Sequence, residues 1–170
     1  MQRRALAQFS LATIALATLG CASLPTPPGF ETRPDQVAKR ETAEALSRYA
    51  VLVRRQDSDA VAELFTPDGR IQHADERPVQ GKAAIKRFLD QFSGYKVLSH
   101  DMTILSVSPT TTHVSQSGIY VQSVKTPDGT SVTVRGWFIM QWVSTTPGVW
   151  LIELAKTSSN PMSAAAASGA

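Results

Sequence analysis

The chain has 170 residues, 42% hydrophobic and 18% charged, with a single cysteine. That composition excludes a collagen-like or wholly disordered chain, and the length fits one domain with appendages. One cysteine excludes an internal disulfide framework and a cysteine-based zinc cluster. Seventeen Lys and Arg against fourteen Asp and Glu give a net charge of +3, so the location of the positive charge decides whether nucleic acid is a candidate partner. In chain order, Met1-Gln2-Arg3-Arg4 is a short cationic start, and Ala5 to Gly20 is apolar and small with no acid. This predicts an export leader over residues 1–21, too short to span a bilayer comfortably. The other reading is an uncleaved membrane anchor. Thr18-Leu19-Gly20-Cys21 is similar to a bacterial lipobox, which predicts lipid attachment at Cys21. Ordinary cleavage after Ala22 would instead leave a soluble periplasmic protein. Residues 22–33, with the run SLPTPPGF, read as a Pro-rich tether. Without Arg3 and Arg4, fifteen basic and fourteen acidic residues remain, scattered and mostly beside one another. No nucleic-acid stripe results.

Thr32-Arg33-Pro34-Asp35 is a helix start, and Leu46, Tyr49, Ala50 and Val53 continue a helix to about Arg55. Asp57 can cap a second short helix carrying Val61, Leu64 and Phe65 on one face. Thr66-Pro67-Asp68-Gly69 has type I turn chemistry. Arg70–His73 then reads as a short strand with Ile71 and His73 on one side. After a polar loop, Ile85, Phe88, Leu89 and Phe92 mark a third, amphipathic helix. From Val97 the period becomes two, which predicts strands at 97–107, 113–125, 130–143 and 149–158. Helices followed by a meander of long strands give an α+β domain over residues 34–160. Residues 161–170, mostly Ala and Ser, read as a frayed tail.

Several runs carry a resemblance: Arg48-Tyr49; Asp57 to Phe65 with Asp68-Gly69; Pro78-Val79-Gln80-Gly81-Lys82-Ala83-Ala84-Ile85; and Gly148 to Ile152. Together they resemble the nuclear-transport-factor-two-like superfamily, with its SnoaL-like polyketide cyclases, ketosteroid isomerase and scytalone dehydratase. The resemblance covers residues 35–160. It implies a cone-shaped fold in which a curved antiparallel sheet wraps about three N-terminal helices, a pocket between them, and homodimers formed through the sheet. Ketosteroid isomerase combines an Asp base with an oxyanion hole of Tyr and protonated Asp. The resemblance places Tyr49 on that Tyr, His73 on the base and Phe138 near the neutral Asp. Phe donates no hydrogen bond, so steroid isomerisation by that route is not expected. His73 has the titration range of a general base, or it hydrogen-bonds inside a cavity. Tyr49 fits a core position as well as a donor's.

Alternation puts Phe138, Met140 and Trp142 on one face of their strand. It puts Trp150, Ile152, Leu154 and Lys156 on one face of the last strand. If Phe138 points inward, these residues line a ligand pocket. Lys156 at its end either binds an anionic group or snorkels to water. The opposite face, with Trp137, Ile139 and Leu151, is too apolar for an open sheet and suits a dimer surface. His100 and Asp101, adjacent on a strand, point to opposite faces and form no dyad. The three histidines lack metal-ligand spacing, and neither metal nor cofactor is expected. Three functions stand open. One is an exported protein binding a small apolar or amphipathic ligand. Another is a protein–protein module of the cell envelope. The third is a cofactor-independent isomerase, cyclase or dehydratase using His73.

Overall fold

The computed structural model describes residues 33–159. The leader, Cys21, the tether and the tail 161–170 lie outside the described residues. Helix α1 (Pro34–Arg55) opens on a proline in its first turn and ends at Gln56, which adopts a left-handed φ of 55°. Its inward stripe is Ala38, Thr42, Leu46 and Tyr49, spaced four, four and three residues apart as one helix face requires. Helix α2 (Ser58–Glu63) is capped by Asp57, whose carboxylate accepts the Ala60 N–H at 3.0 Å. Strands β1 (Phe65–His73) and β2 (Val79–Gln80) follow, then α3 (Lys82–Asp90). Four long strands complete the domain: β3 (Lys96–Pro109), β4 (His113–Lys125), β5 (Ser131–Thr146) and β6 (Val149–Ser158).

These elements form the α+β cone, with one curved six-stranded sheet and N-terminal helices. The strand order is β2-β1-β6-β5-β4-β3. Every pair is antiparallel except β1 and β6, which run parallel. The Thr66–Gly69 stretch, expected as a free turn, lies inside β1. There it bulges against β6, so that Phe65 pairs with Ile152 but Arg70 already pairs with Leu154. Gly69 permits this, because a Cβ on it would come within 2.7 Å of the Ile152 carbonyl oxygen. The expected polar loop after His73 contains the short strand β2.

The core lies on the concave face. Val114, Tyr120, Phe138, Met140, Trp142, Ile152 and Ala155 from the sheet pack on Ala38, Leu46 and Tyr49 of α1 and on Ile85 of α3. A buried polar chain crosses it. Trp142 Nε1 donates to Gln116 Oε1 at 2.9 Å, Gln116 Nε2 donates to Thr42 Oγ1 at 3.0 Å, and Thr42 Oγ1 donates to the Ala38 carbonyl at 2.8 Å. Each member is satisfied, so the chain fixes α1 on the sheet at no net polar cost. Gln116→Leu is expected to cost about 2–3 kcal/mol by orphaning the Trp142 N–H. Adding Trp142→Phe should recover part of that loss, as chemical denaturation of the single and double variants would read.

Bulges decide which side chains face inward. One at Leu105 shifts the β3–β4 register, so that the inner series His100, Met102, Ile104 continues at Val107 while Leu105 turns out, 57% exposed. A second lies at Glu153 of β6: Trp142 pairs with Ile152, but Gln141 pairs with Leu154. Beyond it the alternation inverts. Ala155 and Thr157 join Met140 and Phe138 on the inner face, and Lys156 joins Ile139 on the outer one.

Candidate functional site

The expected site residues divide among three places. His73, at the end of β1, pairs in register with Thr157, and its Nδ1 lies 3.2 Å from Thr157 Oγ1. Lys156 does not continue an inward stripe with Trp150 and Ile152. The Glu153 bulge puts it on the outer face, 6.0 Å from the Trp137 ring and 3.9 Å from the exposed Asp75 carboxylate. Phe138, Met140 and Trp142 are inward but fully buried; they fill the cone and do not wall an open pocket. Trp150 donates from Nε1 to Glu41 Oε2 at 2.8 Å. It borders a shallow cleft of about 550 Å³ between the start of α1 and the β5–β6 turn. Among the described residues, no group of three His, Cys, Asp or Glu is arranged to hold a metal.

Tyr49 meets a partner that spacing did not suggest. Its ring is 6.4 Å from the His100 ring at 63°, and His100 in turn is 6.1 Å from the Tyr120 ring. The three come from α1, β3 and β4. Tyr49 is buried, and burial, with the Tyr120 hydroxyl nearby, pushes its pKa to about 12. Burial also raises the Tyr120 pKa. Both phenols are therefore neutral hydrogen-bond donors at physiological pH.

His100 is the unusual member. Both its ring nitrogens are buried, and neither makes a hydrogen bond of normal length and angle. Burial lowers its pKa from 6.5; Gln122, opposite it on β4, and the Asp101 carboxylate oppose that shift without reversing it. The imidazole is thus neutral near pH 7, so one nitrogen can accept a hydrogen bond and the other can donate one, with the Gln122 side chain close by. His100 borders a cleft of about 680 Å³ between α1 and β3, whose wall includes Leu46, Val51, Met102 and Ile104 with Ser47 and Arg54. A concave site that combines apolar walls with polar groups, Asp101 and Thr103 among them here, can hold and orient a small molecule. Adjacency to Asp101 on one strand excludes a dyad but says nothing of His100 by itself. The available signal was different: His100 alternates with Met102 and Ile104, which places it on the apolar face of its strand.

The lowered pKa makes stability depend on pH. Below 6.5 the unfolded chain takes up a proton that folded His100 refuses, so protonation favours unfolding. Stability is expected to be complete above 6.5, to fall as pH drops from there, and to level off once folded His100 titrates. Urea midpoints at closely spaced pH values would show the slope, which His100→Phe should remove.

A SnoaL-like domain family model matches residues 37–156. The chain belongs to the SnoaL-like domain family. No curated protein sequence matches it. Among solved structures, the SnoaL-like chain is similar to a nuclear-transport-factor-two-like protein with a cystatin-like fold from Novosphingobium aromaticivorans. Identity there is 20% and the TM-score 0.62, over 84% of this chain and all of that one. It is also similar to a ketosteroid isomerase-like protein from Erwinia carotovora atroseptica, with 15% identity and a TM-score of 0.63 over 75% and 96% of the two chains. A third is a protein from Catenulispora acidiphila in complex with S-DNPA, with 19% identity and a TM-score of 0.63 over 72% and 92%. At these identities the likeness is one of fold. The wider superfamily includes isomerases, dehydratases and cyclases.

Proposed function

We propose that this SnoaL-like domain binds a small, mostly apolar molecule carrying a polar group in the α1–β3 cleft, with His100 meeting that group. The observation that carries the reading is the buried imidazole whose two nitrogens make no well-formed hydrogen bond, although the Gln122 side chain lies close. An unpaired buried polar group costs about 1–3 kcal/mol, and native folds retain such groups where they do work. A ligand that supplies the missing partner removes the cost. The solved Catenulispora structure, which holds S-DNPA, supports ligand binding in a domain of this shape. Export under the 1–21 leader, lipid attachment at Cys21 and pairing of two copies through the outer face around Trp137 and Ile139 belong to the same proposal.

The state of His100 favours a second reading, cofactor-independent proton transfer. A neutral imidazole can accept a proton from an acidic C–H, and the neutral hydroxyl of Tyr49, whose ring lies 6.4 Å from that of His100, can donate to the oxyanion that forms. In this reading His100 is preferred to His73 as the base, because His100 makes no well-formed hydrogen bond and is held neutral. Native mass spectrometry of the protein recovered from its own cells tests the binding proposal. An additional mass is expected on the wild type and absent from folded His100→Phe. A mass retained by that variant, or none on either protein, would overturn it.

A further inference from the structure

One end of the domain, where α1 stops and β3 starts, combines exposed aromatic rings with cations that form no ion pair among the described residues. Gln56 holds it together. Its Nε2 donates to the Phe92 and Tyr95 carbonyls at 3.3 and 2.8 Å, and its Oε1 accepts from the Val97 N–H at 3.4 Å. This clamp presses the turn 91–95 against the end of α1 and sets its rings. Phe88, Phe92 and Tyr95 follow one another edge to face, at 5.4 and 6.2 Å. Phe92 is nevertheless 46% exposed, Tyr95 39% and Leu98 47%. Aromatic side chains this exposed on a rigid turn forgo much of the burial that rings of their size normally obtain.

The charges around the turn are of one sign. Arg54 and Arg55 close α1, and Lys96 and Lys125 stand directly opposite each other on β3 and β4. Like charges in that position repel. All four are exposed, and none takes part in the ion pairs among the described residues. Three acids close to these cations in sequence hold other partners, and Asp101, which shares the α1–β3 cleft with Arg54, forms no ion pair with it. Asp57 caps α2, Asp90 holds Lys86 at 3.0 Å, and Asp128 accepts from Thr126 and from the Thr130 N–H.

We propose that this end of the domain docks on an anionic lipid surface, with Phe92 and Tyr95 at the level of the headgroups and Arg54, Arg55, Lys96 and Lys125 against the phosphates. Aromatic rings beside cations are the pattern that sits at the membrane–water boundary. The rings occupy the tip of a turn, which can enter a soft boundary, whereas a rigid protein partner calls for a groove or a flat face.

The full chain carrying Cys21→Ser and Ser93→Cys, labelled at residue 93 with an environment-sensitive dye, reports on this turn whatever the N-terminal segment does. Phosphatidylglycerol vesicles are expected to shift the emission to the blue, phosphatidylcholine vesicles are not, and about 0.5 M salt should reverse the effect. Each of Arg55→Gln, Lys96→Gln and Lys125→Gln should weaken the partition about fivefold. Phe92→Ser should weaken it about tenfold. No shift, an equal shift on both lipids, or variants that bind unchanged would overturn the proposal. A shift that appears with protein concentration and without vesicles would overturn it too, assigning the turn to contact between copies of the chain.

Discussion

His100→Phe is expected to stabilise the fold by about 1–3 kcal/mol and to abolish ligand binding. The substitution keeps an aromatic ring between Tyr49 and Tyr120, whose centroids lie 6.4 and 6.1 Å from that of His100, and removes two nitrogens that are buried without a well-formed hydrogen bond. Removing unsatisfied polar atoms by a ring of similar shape recovers their desolvation cost, and the edge-to-face contact with Tyr49 survives. The slightly larger ring offsets part of the gain. Urea denaturation measures the first effect and native mass spectrometry the second. A protein under selection for stability alone would have no reason to keep the histidine, so opposite signs for stability and binding would mark it as functional. A destabilised variant would show instead that His100 is satisfied in solution, and the cleft would lose its polar anchor.

Gly136→Ala is expected to destabilise by at least about 3 kcal/mol, the larger part of a domain's margin. Gly136 pairs with Tyr120 across β4 and β5. A Cβ there would overlap the Ser158 carbonyl oxygen and press on the Tyr120 ring. The first obstacle is backbone held in the β5–β6 ladder, which cannot rotate away as a side chain would. Gly118, one strand over, has the same problem with the Thr103 carbonyl and the Phe138 ring. The two glycines allow β3, β4, β5 and β6 to approach closely where the sheet bends over α1. Thermal unfolding of Gly136→Ala beside a control such as Gly129→Ala, which sits in an exposed turn at φ 91°, would separate steric overlap from loss of backbone freedom. If the two variants lose similar stability, the close-approach account fails.

Much of the architecture was legible because it rests on local periodicity. The spacing of Leu46, Tyr49 and Val53 marked α1 to its last residue, Arg55. The two-residue alternation after Val97 marked β3 to β6, and the Pro-Gly and Pro-Asp-Gly runs marked the breaks between them. The short strand β2 and the extension of β1 back to Phe65 left no such trace. β2 has only two residues, and β1 takes a turn-forming sequence into a bulge because its ladder partner β6 arrives 84 residues further on, Leu154 opposite Arg70.

The candidate site was less legible. Tyr49 was marked as inward by helical spacing, and Phe138, Met140 and Trp142 by alternation. That those three fill the cone, and that Tyr49 stands against His100, depends on how α1 lies across β3 and β4. Lys156 shows the limit most plainly. Strict alternation puts it on the face of Trp150 and Ile152, and one extra residue at Glu153 turns it to the other face beside Trp137.

The lone cysteine, the scattered charge and the period of each segment are properties of neighbours in the chain. From them the sequence by itself determined the SnoaL-like resemblance and the order of the helices and the long strands. Only the tertiary structure decided which histidine accompanies Tyr49, which face Lys156 takes and where the cleft lies. Bulges and long-range register are settled by partner strands, and the cost of burying His100 without a well-formed hydrogen bond exists only once α1 and β4 have closed over it.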